Sequence, residues 1–68
     1  MSQFTTYEKL AELRRELRLR RQVYPEFITK GRLHKFDADR QIGILTEIVG
    51  DYEQLAALDE PELFGGQQ

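Results

Sequence analysis

Between Lys35 and Leu58 the apolar positions follow a helical step. Ala38, Ile42, Leu45, Val49, Tyr52 and Ala56 recur every three or four residues and fall in one stripe, with Ile48 and Leu55 on its border. A single amphipathic helix is marginal in water, so this stripe calls for a partner. The first half of the chain supplies one. Leu10, Leu13, Leu17, Tyr24 and Ile28 mark one face, and Leu19, Val23 and Phe27 widen it on an adjoining side. No strand-like alternation interrupts either pattern. The expectation is an all-α fold, an antiparallel two-helix hairpin over residues 5–58. A frayed leader at 1–4 and a flexible acidic tail at 59–68 are expected to flank it.

Local signals place the helix ends. Thr5 followed by Glu8 has the spacing of a capping box, so the first helix is expected to start near Thr6. Pro25 lacks a backbone donor and crowds the carbonyl of Arg21. Either the first helix stops near Val23 and a short one begins at Pro25, or one helix kinks and continues to Lys30. The stripe keeps its phase from Leu17 through Tyr24 to Ile28, which favours the kinked helix. Gly31 suits the residue after a helix end, with Leu33 expected to plug the base of the core in the following turn. Asp37 and Asp39 suit the positive start of the second helix. Gly43 and Gly50 lie off the stripe, as close-approach points for another helix or as tolerated weak spots.

Two helices share only one interface, and 68 residues bury a limited core. Small domains add a disulfide, a metal or an oligomeric contact. This chain has no cysteine and one histidine, which excludes disulfides and leaves no structural zinc set. Oligomerisation remains, and pairing of two hairpins into a homodimeric four-helix bundle would cover the surplus apolar surface. Leu19, Val23, Phe27, Ile44 and Ile48 are the residues expected to bind a partner, whether a second copy or another protein. No apolar run reaches the length of a membrane span and the N-terminus lacks a signal-peptide core, so a cytoplasmic protein without membrane contact is expected.

The net charge of −2 conceals an asymmetry. Residues 1–35 carry nine Lys or Arg against four Glu, or +5, and residues 36–68 carry one Arg against eight Asp or Glu, or −7. An antiparallel hairpin sets these halves side by side and favours the intended register. Arg14, Arg15, Arg18 and Arg21 project along one flank, where they can hold phosphates or steer a partner. Arg20 points near the apolar stripe, with its stem packed and its head free to escape. A pI near 5.3 argues against general nucleic-acid binding, which is kept as the alternative function: a dimeric module using this arginine face.

Candidate chemistry is sparse. Ser2 is the sole serine and His34, the sole histidine, falls in the turn, which leaves no nucleophile and base to pair. Glu47 and Asp51 stand four apart on one helix, as in a carboxylate metal pair, but without a histidine ligand nearby. Gly65 and Gly66 lead into no helix, so they form no phosphate loop. The expectation is a non-enzymatic interaction protein that uses no cofactor or metal.

The tail sets Leu63 and Phe64 among Asp59, Glu60 and Glu62, an acidic and apolar peptide suited to a groove. Its Leu-Phe ending resembles bacterial sliding-clamp-binding peptides, although Glu60 and Pro61 stand where those peptides carry a leading glutamine. Over residues 20–52, Arg20-Arg21-x-Val23-Tyr24-Pro25, Gly31-Arg32-Leu33, Ala38-Asp39-Arg40, Ile42, Ile48 and Asp51-Tyr52 form a pattern that resembles small bacteriophage and prophage helical proteins of unassigned function. That resemblance implies a phage-type origin and carries no activity or catalytic residue with it; a modulator or inhibitor of a host protein is expected by analogy with how small phage proteins work.

Overall fold

A computed structural model describes residues 3–59, and of Asp59 only the backbone. The described residues form two α-helices, α1 (Thr6–Thr29) and α2 (Lys35–Asp59), packed against each other with no strand among them. At about 1.5 Å per residue each helix is roughly 36–38 Å long.

The entry to α1 is the expected capping box. Thr5 Oγ1 accepts from the Glu8 amide at 3.0 Å, and the Thr5 amide donates to Glu8 Oε1 at 2.8 Å. The helix runs unbroken through Pro25. Thr29 Oγ1 donates to the Pro25 carbonyl at 3.0 Å in the last turn. The exit is built by backbone alone. Gly31, at φ 75°, donates to the Ile28 carbonyl at 3.0 Å and Arg32 to the Phe27 carbonyl at 2.8 Å. These two bonds make the Schellman closure that a left-handed residue permits. His34 then opens α2: its carbonyl accepts from Ala38, and its Nδ1 accepts from the Phe36 amide at 3.2 Å. The sole histidine is thus a helix cap.

The core is a single seam. Leu10 and Leu17 of α1 meet Leu45, Val49 and Ala56 of α2, with Leu13, Ile42, Ile48 and Tyr52 packed around them. Ala38 is buried as well, nearer the turn. Every member of the α2 stripe read from the sequence is therefore buried or half-buried. Leu33 is half-buried but stands outside this cluster, so the core has no separate plug at the turn. Space around Gly43 and Gly50 is open within 4 Å of a would-be Cβ, so neither glycine is a close-approach point between α1 and α2.

Candidate interaction surface

Arg14 and Arg20 stand three residues either side of buried Leu17. At about 100° per residue they project roughly 60° to opposite sides of the seam. They mark the two edges of the hairpin. On one, Arg14 Nη2 meets Glu53 Oε2 at 2.9 Å. On the other, Arg20 Nε donates to Glu16 Oε2 at 3.0 Å and Nη1 to the Gln41 carbonyl at 3.3 Å. Tyr24 donates its hydroxyl to Gln41 Oε1 at 3.1 Å, so Gln41 ties two α1 side chains to α2.

The Arg20 edge carries the expected partner residues. Arg20, Val23 and Phe27 follow an i, i+3, i+7 spacing on α1, and Gln41, Ile44 and Ile48 follow the same spacing on α2. The Arg20–Gln41 bond joins the two rows at their first members, and because the helices are antiparallel Val23 and Phe27 run from it toward the turn while Ile44 and Ile48 run away from it. Ile44 is 48% exposed, and Leu19, one step farther round α1, is 41% exposed. Val23 and Phe27 are half-buried. Phe27 lies beside Tyr24, with ring centroids 6.2 Å apart, in the range of a favourable aromatic pair. Ile48 is half-buried and packs on the core.

The Arg14 edge is the basic one. Only Arg14 pairs across the hairpin; Arg15 turns to Glu12 of its own helix at 3.6 Å. Arg18 and Arg21 have no ion pair among the described residues. Toward the turn this edge opens into a groove of about 390 Å³, lined by Arg21, Tyr24, Pro25 and Ile28 on α1 and by Lys35, Ala38, Asp39 and Ile42 on α2. Lys35 Nζ is held 2.8 Å from Asp39 Oδ2 at its rim.

The structure therefore separates residues that the sequence grouped. Val23, Phe27, Ile44 and Ile48 belong to the Arg20 edge, and Arg14, Arg18 and Arg21 to the opposite one, while Leu19 and Arg15 both point outward from the seam. Glu47 and Asp51 are both exposed, and no group of three potential metal ligands occurs among the described residues. Leu63 and Phe64 lie outside the described residues. The sequence reading missed the groove, the double role of Gln41, and Phe36. Phe36 is 69% exposed. The signal was there: Phe36 precedes Leu45 by nine residues, which puts it about half a turn from the stripe.

No helix among the described residues is long and apolar enough to cross a membrane. Compared with known proteins, the chain matches no family model, no curated protein and no solved structure, so its phage-type resemblance rests on the residues of the 20–52 pattern alone.

Proposed function

We propose that this chain is a small non-enzymatic interaction module whose Arg20 edge binds another protein surface. The observation that carries this reading is the surplus of apolar side chains left uncovered by the hairpin: exposed Leu19 and Ile44, with half-buried Val23 and Phe27 on the turn side of the Arg20–Gln41 bond and half-buried Ile48 on its far side. Leaving such a patch in water forgoes burial worth about 1.5–3 kcal/mol for each large side chain that a partner would cover fully. A second copy is the economical occupant, giving a homodimeric four-helix bundle. In that assembly α1 bends at Pro25 to follow the neighbouring helices. The phage-type resemblance adds a biological setting, in which the module modulates or inhibits a host protein by stoichiometric binding.

Light scattering at micromolar concentration is the direct test. Twice the chain mass is expected, falling to the monomer mass on Ile44→Glu, which places a charge in the apolar patch. A monomeric parent chain removes the homodimer and leaves a foreign protein as the occupant of the patch.

A second reading draws on the lack of ion-pair partners for Arg18 and Arg21 among the described residues. They are free to contact phosphates of a nucleic acid along the Arg14 edge. Such binding would weaken steeply with salt, unlike an apolar protein contact.

A further inference from the structure

The groove near the turn differs in kind from the apolar Arg20 edge. Its floor is apolar, from Pro25, Ile28, Ala38 and Ile42, and its rim carries Arg21, Lys35 and Asp39, a net positive set in which Lys35 pairs with Asp39 and Arg21 is left over. Its volume, about 390 Å³, falls within the range of ligand clefts, roughly 300–1,000 Å³. Two features add binding capacity. Arg21 has no carboxylate partner among the described residues. Pro25 has no N–H to offer the Arg21 carbonyl, so that acceptor lacks its ordinary helical donor beside the groove. The complementary ligand is a peptide with adjacent large apolar side chains, flanking carboxylates and backbone amides to donate.

The chain itself carries that peptide. Glu60-Pro61-Glu62-Leu63-Phe64 places two carboxylates beside an apolar pair. We propose that the groove receives Leu63 and Phe64 of a second copy, with that copy's Glu60 and Glu62 toward Arg21, and toward Lys35 in competition with its Asp39 pair. The same copy is excluded by length. Ile42 is the lining residue nearest the end of α2, and at about 1.5 Å per residue it lies roughly 25 Å back along the helix from Asp59. Phe64 is five residues past Asp59 and extends at most about 18 Å. A nearer groove, lined by Phe4, Glu8, Lys9 and Glu12, stands at the start of α1. The antiparallel packing brings the end of α2 toward it. Its two carboxylates against one ammonium repel an acidic tail, so charge selects the distant basic groove over the near one. This contact uses the Arg14 edge and does not depend on the pairing of the apolar edges.

Photo-crosslinking of the full chain tests the assignment. With p-benzoylphenylalanine in place of Phe64, equal amounts of unlabelled and ¹⁵N-labelled protein are mixed and irradiated, and crosslinked peptides are read by mass spectrometry. Crosslinks joining a light to a heavy chain, from position 64 to the segments Tyr24–Ile28 or Ala38–Ile42, are expected. They should fall at least several-fold in the Arg21→Glu, Lys35→Glu double variant, whose helicity circular dichroism checks. The milder Arg21→Gln should reduce them less. Crosslinks within one copy onto the Phe4–Glu12 segment would overturn the proposal, as would crosslinks between copies elsewhere or none at all. Light scattering on the same samples keeps the two readings apart. A dimer whose crosslinks miss the groove refutes tail docking and leaves the apolar-edge pairing intact. A dimer that survives Ile44→Glu with groove crosslinks present does the reverse.

Discussion

Arg14 and Glu53 form the one ion pair between α1 and α2 among the described residues, at 2.9 Å, with side chains 51% and 48% exposed. The contact joins the basic first half to the acidic second half. It agrees with the register that the buried seam of Leu10, Leu17, Leu45, Val49 and Ala56 sets. Solvent screens a pair this exposed, and holding two long side chains in one geometry costs entropy. A double-mutant cycle with Arg14→Gln and Glu53→Gln should give a coupling of only about 0–1 kcal/mol by denaturant unfolding. The coupling should shrink further when salt is raised. A value well above that range would mean the pair is shielded, as it would be beneath a second copy.

Leu45 carries far more of the stability. It is 6% exposed, in the seam with Leu10, Leu17, Val49 and Ala56. Leu45→Ala removes packed methyl groups and leaves a cavity, at a cost of about 2–5 kcal/mol. A single core in a chain this small rarely supplies more than about 3–5 kcal/mol. Thermal or urea unfolding should show the variant largely unfolded at 25 °C. A cost below about 0.5 kcal/mol would belong to a surface site and would mean the seam is misplaced.

The two glycine positions separate backbone need from simple tolerance. Gly31 sits at φ 75°, where a Cβ collides with the neighbouring carbonyl, so Gly31→Ala should cost about 1–2 kcal/mol and loosen the Schellman closure. Gly43 is helical with open space around it. Gly43→Ala should raise stability by about 0.5–1 kcal/mol through helix propensity alone. Melting temperatures of the two variants, measured side by side, should move in opposite directions. Destabilisation by Gly43→Ala would reveal a helix of another copy lying against that surface.

Most of the hairpin was legible in the sequence because its signals are local. The Thr5–Glu8 box, the glycine at 31 and the three-or-four spacing of the α2 stripe each act through neighbours in the chain or one helix face. The edges were less legible because they depend on how one helix is rotated against the other. Spacing placed Arg14, Arg15, Arg18 and Arg21 on one flank beside the acidic second half, yet only Arg14 meets an acid across the hairpin. Arg15 finds Glu12 three residues away. The groove was illegible for a related reason. It exists only where the proline-bearing turn of α1 stands over the first turns of α2, a juxtaposition that no single-helix projection contains. Gln41 gives no sequence signal at all, since its role comes from Arg20 and Tyr24 arriving from the other helix.

The arginine flank is where the two functional readings part. Arg14 is engaged with Glu53 and Arg15 with Glu12, and both contacts are exposed. Replacing Arg14, Arg15 and Arg18 together by Gln removes three charges and two weak ion pairs, so the helicity should be unchanged and the stability should fall by no more than about 2 kcal/mol. If the flank steers a protein partner, the triple variant should bind that partner with a slower on-rate and a reduced salt dependence. If the flank holds nucleic acid, binding should be lost across all sequences, and the log–log salt slope should drop by roughly one per lost phosphate contact. Fluorescence anisotropy with labelled duplex and single-stranded DNA, at low and moderate salt, decides between them. The parent chain is expected to show no tight binding, since residues 36–68 contribute −7 against the +5 of residues 1–35, and Glu53 and Glu12 already occupy two of the three arginines. Tight, salt-sensitive binding that vanishes in the triple variant would reverse the order of the two readings and make the Arg14 edge a phosphate-binding surface.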